Sequence, residues 1–213
     1  MATVLHEEHF RHQRVGALAR RAADARRGSV ELDSLARQKL TDLLPIVEPR
    51  DDVDLASDCL GTLGEYAERD GDLAQAITFY KRAIDRSGRI RGENDEMVIQ
   101  TRSYLVDTMR RQERFEEVLT ELDAMLRIQR EHERGFSPWT IRFAMQRGEA
   151  LMKLGRMKEA EIQLAEADEL VRDRIGPNHG MRNRIRSYMR QVLVAQGRED
   201  EARREWADVE LAG

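Results

Sequence analysis

Cysteine, proline and aromatic side chains are all scarce in this sequence. The one cysteine, Cys59, excludes an internal disulfide and fits a reduced, cytoplasmic setting. Four prolines and 5% aromatics, against 36% charged residues, exclude a proline-rich linker protein and a thick aromatic core. They suit helices with much solvated surface. No apolar run reaches the length of a membrane span. The opening "MATVLHEEHFRHQRV" has no apolar core of a signal peptide, and Glu7 and Glu8 speak against a transit peptide. The net charge of −4 gives no bulk attraction to nucleic acid or to an anionic membrane, so neither is expected as a partner. Arginine outnumbers lysine 32 to 4, a bias of GC-rich bacterial coding.

What is present is one pattern written four times. "GDLAQAITFYKRAID" begins at Gly71, and related stretches follow at intervals of 42 residues. Ala76, Val118, Ala160 and Ala202 hold a small position. Tyr80, Leu122, Leu164 and Trp206 follow four residues later, then Ala83, Met125, Ala167 and Val209 three after that. The i, i+4, i+7 spacing is one helix stripe. Five residues before each small position stands Gly71, Glu113, Gly155 or Gly197, a turn signal in three of four copies. Upstream of each turn a second amphipathic segment appears, so each copy reads as two antiparallel helices. Such a pair buries its apolar faces only by stacking on neighbours.

The first copy carries Leu60, Leu63 and Gly64, then Gly71, Ala76, Tyr80 and Ala83. This pattern resembles the tetratricopeptide repeat, and the 42-residue period resembles its longer, kinesin-light-chain-like class. The resemblance implies an all-α fold, a right-handed superhelical solenoid of antiparallel helix pairs. It implies first helices on the concave face and second helices on the convex one. The copies are expected at about 54–96, 97–138, 139–180 and 181–213. Residues 1–48 are expected to form a degenerate helical pair that caps them, with Leu35, Leu40, Leu43 and Leu44 as its second stripe. Two departures stand out: Arg147 where the third copy should have Leu, and Arg190 at the small position of the fourth.

Candidate chemistry is thin. His6, His9 and His12 share a helix face, but "HEEH" has the wrong spacing for a zinc-protease helix and reads as solvated surface. Cys59 sits in an apolar stripe as a small core residue, and the methionines Met109, Met125, Met157 and Met189 occupy core positions. Trp139, beside Pro138, is a hydrophobic staple or an exposed contact. No nucleophile–base set, phosphate loop or metal cluster appears, so no enzyme, cofactor or metal is expected.

Charge is divided by helix. Residues 99–111, 139–153 and 182–196, in first helices, carry +2, +2 and +4; residues 114–127, 156–170 and 198–212, in second helices, carry −2, −3 and −3. The first copy breaks the rule, with −2 over 55–69. A basic lining fits an acidic peptide or protein surface, because arginine forks pair with carboxylates. The resemblance places groove contacts at Gln100, Ser103, Asp107 and Arg110, at Arg142, Met145 and Glu149, and at Arg184, Ser187 and Gln191. The expected function is a non-catalytic adaptor or scaffold for a protein partner. The alternatives are a structural homo-oligomer and a regulatory module that senses a peptide or small anion. Trp206, Val209 and Leu211 lie on a stripe that a further pair would cover, which points to docking or homodimer formation through the C-terminal end.

Overall fold

The computed structural model describes residues 30–49, 55–132, 137–176 and 180–205, and every regular element among them is helical. In chain order these are α1 Val30–Val47, α2 Leu55–Arg69, α3 Leu73–Arg91, α4 Glu96–Arg111, α5 Phe115–His132, α6 Pro138–Lys153, α7 Met157–Arg174, α8 Gly180–Ala195 and α9 Glu199–Glu205. The chain divides into two compact units, Met1–Thr108 and Met109–Gly213.

The turn within each copy is built the same way. At Gly71, Glu113, Gly155 and Gly197 the backbone takes φ of 82°, 57°, 74° and 76°. The next residue closes a six-residue loop: the N–H of Asp72, Arg114, Arg156 and Arg198 donates to the carbonyl of Ala67, Met109, Leu151 and Leu193 at 2.9, 3.1, 2.9 and 2.9 Å. This left-handed cap satisfies carbonyls that the preceding helix leaves open. The helix after the turn then starts in register, with Ala76, Val118, Ala160 and Ala202 donating back to Asp72, Arg114, Arg156 and Arg198. All four small residues are buried, as are Tyr80, Leu122 and Leu164 at the large position. Each large side chain contributes roughly 2 kcal/mol by leaving water.

After the first turn Asp72 caps α3 by accepting from the Gln75 N–H at 3.0 Å. After the other three turns an arginine and a glutamate clasp across the first helical turn instead. Arg114 holds Glu117 through two bonds of 2.6 and 2.7 Å, Arg156 holds Glu159 at 2.8 and 2.7 Å, and Arg198 holds Glu201 at 2.8 and 2.5 Å. The Arg156 clasp draws the Glu159 carboxyl below its ordinary value.

In the first unit, α1 packs on the α2–α3 hairpin through Ala36, Leu40, Leu43, Leu44 and Val47, against Ala56, Cys59, Leu60, Leu63, Tyr66 and Ala83. Leu35 does not join them: it is 54% exposed, because the buried face of α1 runs through Ala36 and Leu40 and turns Leu35 outward. Ion pairs frame this packing. Arg69 meets Asp33 at 2.6 Å, Arg37 pairs with Asp70, and Arg82 pairs with Glu48, whose carbonyl also accepts from Arg86 at 2.8 Å. The Arg37 and Arg69 guanidiniums both lie over the Tyr66 ring, 5.2 and 4.7 Å from its centre. Gly64 is required where α2 meets α3, since a Cβ there would fall 2.5 Å from the Tyr80 ring.

The second unit repeats that approach 84 residues on. A Cβ on Gly148 would fall 2.6 Å from Leu164, so α6 and α7 touch at a glycine as α2 and α3 do. Arg147, at a leucine position of the pattern, directs its guanidinium to Asp123 of α5 at 2.6 Å and to Gln163 of α7 at 2.8 Å. Arg190 is half-buried, so the fourth copy accommodates a long side chain at its small position. Met109, Met125 and Met189 are buried and Met157 is half-buried.

Candidate functional site

In the second unit the first helices α6 and α8, with the last turn of α4, bring two expected contact residues, Arg110 and Glu149, together with Tyr188. Arg110 of α4 meets Glu149 of α6 at 2.5 Å, both partly shielded, with side chains 26% and 16% exposed. The Tyr188 phenol of α8 donates to the same carboxylate. Burial, then the Glu149 charge, pushes that phenol up to about 12, with the guanidiniums of Arg110 and Arg184 pulling the other way. One carboxylate is therefore held by donors from two other helices, a fully worked example of carboxylate binding.

Arg142 and Arg184 occupy the same place in successive copies, 42 residues apart. Arg184 is exposed and makes no ion pair among the described residues. Arg142 is half-buried, with its guanidinium 5.6 Å over the Trp139 ring. Trp139 in turn stacks on buried Phe143 at 5.7 Å and 22°. Ser137 caps α6 by accepting from the Trp139 N–H at 3.3 Å, and Pro138 stands at the first helical position, which fixes where this stack begins. Trp139 is thus the floor beneath Arg142, partly buried.

Other expected contacts are placed differently. Ser103, Met145 and Ser187 are buried, so their side chains belong to the packing beneath the face and present no surface to a partner. Gln191 and Asp107 are half-buried. In the first unit Gln100 donates to the Tyr104 phenol at 2.8 Å. Trp206, Val209 and Leu211 lie outside the described residues, as do His6, His9 and His12.

Part of the first-helix charge is already answered inside the chain. Arg102 pairs with Glu93, Arg110 with Glu149, Arg147 with Asp123, and Arg182 with Asp168 at 2.8 Å. These arginines hold structure together. The sequence reading missed Tyr188 and the three clasps. The signal for Tyr188 was a spacing of 39, one helical turn short of the period, which links Arg110, Glu149 and Tyr188.

Burial, with the Asp58 charge adding, pushes the Cys59 thiol up to about 12, so it is not poised as a nucleophile. Among the described residues no three His, Cys, Asp or Glu side chains converge as metal ligands. No helix among them is long and apolar enough to cross a membrane.

The tetratricopeptide repeat family model matches residues 57–89. Among solved structures the chain is similar to the putative kinesin light chain nearly identical TPR-like repeats of Podosopora anserina, at 15% identity over 92% of each chain with a TM-score of 0.72. It is similar to BtubC (BKLC) from P. vanneervenii at 17% identity, covering 88% of this chain and 71% of that one, with a TM-score of 0.62. It is also similar to MamA 41-end from Desulfovibrio magneticus RS-1, at 13% identity over 92% of each chain, TM-score 0.65. The fold is accordingly that of an all-α tetratricopeptide-repeat solenoid; identities this low speak for fold alone. No curated protein matches the sequence.

Proposed function

We propose that this chain is a non-catalytic scaffold that holds an acidic segment of a partner protein along the first-helix face of its second unit. The observation that carries the reading is Arg184, exposed and without an ion pair among the described residues, one turn from Tyr188 and in register with Arg142 on its tryptophan floor. A carboxylate of the chain itself is already held on this face, by Arg110 and Tyr188, and this supports the reading. The kinesin light chain repeats and MamA share the fold and add no ligand. The buried, unactivated Cys59 fits both a holding role and a reducing, cytoplasmic compartment.

The test is fluorescence anisotropy with labelled acidic peptides. Wild type should bind, more weakly as salt rises, because the contacts are charge-assisted and partly exposed. Arg142→Glu/Arg184→Glu should weaken binding by about tenfold or more, the scale of two reversed charge contacts. Lys158→Glu, on the second helix α7, should leave it unchanged. Absence of binding at any salt, or equal binding by the double variant, removes the reading.

A further inference from the structure

The basic face has an acid at its centre that is not free to swing away. Glu149 is gripped by Arg110 at 2.5 Å and by the Tyr188 phenol, donors that come from two other helices. An ordinary exposed glutamate rotates out of the path of an incoming anion, whereas one gripped twice keeps its charge in place. Tyr188 also lies within electrostatic reach of Arg184, so the site for an incoming carboxylate and the fixed carboxylate are neighbours of one phenol.

Resting on the acidic-segment reading, we infer that Glu149 is the specificity-determining residue of this face, accepting an isolated acidic side chain at Arg184 and rejecting a run of acids. Side chains on one side of an extended segment recur about every 7 Å. Helices in contact lie about 8–10 Å apart. An acid seated at Arg184 of α8 therefore brings the next same-side residue toward α6, where Glu149 stands. A second carboxylate there meets a like charge that two donors hold in place. A neutral residue meets a partly shielded ion pair it does not disturb. Attraction selects for one acid, and repulsion against the wrong partner sharpens the choice.

The experiment uses the full chain and two labelled peptides of equal length, one with a single Asp in a neutral background and one with a run of consecutive Asp. Anisotropy gives both affinities for wild type and for Glu149→Gln, which keeps the shape and an acceptor oxygen for Arg110 and Tyr188. Glu149→Gln should tighten binding of the Asp run by about three- to tenfold, the worth of one removed like-charge contact, and change the single-Asp peptide little. Equal tightening of both peptides, or of neither, overturns the inference and leaves the acidic-segment reading standing. Binding of neither peptide to either protein overturns the acidic-segment reading, and this inference with it. If Glu149→Gln loses its helical signal, Tyr188→Phe replaces it; that variant loosens Glu149 and should narrow the preference, and an unchanged preference counts against the inference.

Discussion

Glu113 and Gly155 occupy the same place in the same turn, 42 residues apart, at φ of 57° and 74°. Glycine reaches this region freely, whereas a residue with a Cβ is destabilised there by about 1–2 kcal/mol. Glu113→Gly relieves that strain and adds freedom to the unfolded chain, for a net gain of roughly 0.5–1 kcal/mol. Gly155→Ala should lose about 1 kcal/mol. Chemical denaturation of both variants measures the pair, and a Glu113→Gly protein less stable than wild type would contradict the shared geometry.

The approach of α6 to α7 rests on Gly148. Gly148→Ala pushes a methyl into Leu164 and should cost about 1–3 kcal/mol. Leu164→Ala alone should cost about 2–5 kcal/mol through its cavity. Because the methyl enters space that Leu164 vacates, the double variant should be more stable than the sum of the two by on the order of 1 kcal/mol. Strict additivity in denaturation midpoints would show that the two side chains do not meet.

Tyr188 offers a spectroscopic view of the carboxylate it serves. The fold favours its neutral phenol, so the contribution to stability is complete below the free value of 10 and is lost as pH climbs through about 12. Phenolate absorbance of wild type minus Tyr188→Phe should show a midpoint near the upper value, and Glu149→Gln should lower it. A midpoint at the free value would mean that the phenol and Glu149 are apart.

Cys59 reports on α1. It is buried beneath that helix, so a thiol reagent should not label the native protein. Leu40→Ala should cost about 2–4 kcal/mol of local packing. Labelling should then quicken by roughly tenfold for each 1.4 kcal/mol lost. Prompt labelling of wild type would place α1 elsewhere.

The sequence period was a sound guide to equivalence and a poor one to contact. Ala76, Val118, Ala160 and Ala202 share one environment because each fills the same gap in its own hairpin, and burial confirms it. Contacts between neighbouring first helices follow a different rule. Arg110, Glu149 and Tyr188 meet at spacings of 39, so adjacent helices are displaced by one turn and the repeat alone does not reveal it. Ser103, Met145 and Ser187, expected as groove contacts, are covered. Charge counting found the basic bias of the first helices but not its partial cancellation. A long guanidinium chooses its acid by reach, as Arg147 does with Asp123 and Arg182 with Asp168.

Each intra-copy turn closes its hydrogen bonds within six residues, and three of the four are followed at once by a clasp spanning four. Instructions for reversing the chain are therefore written largely beside the place where it reverses, although at the last turn Arg198 also reaches Glu161 at 2.7 Å. A hairpin specified so locally is a portable unit: duplication or excision of one copy carries its own folding grammar along, while its outward-facing residues are left free to diverge.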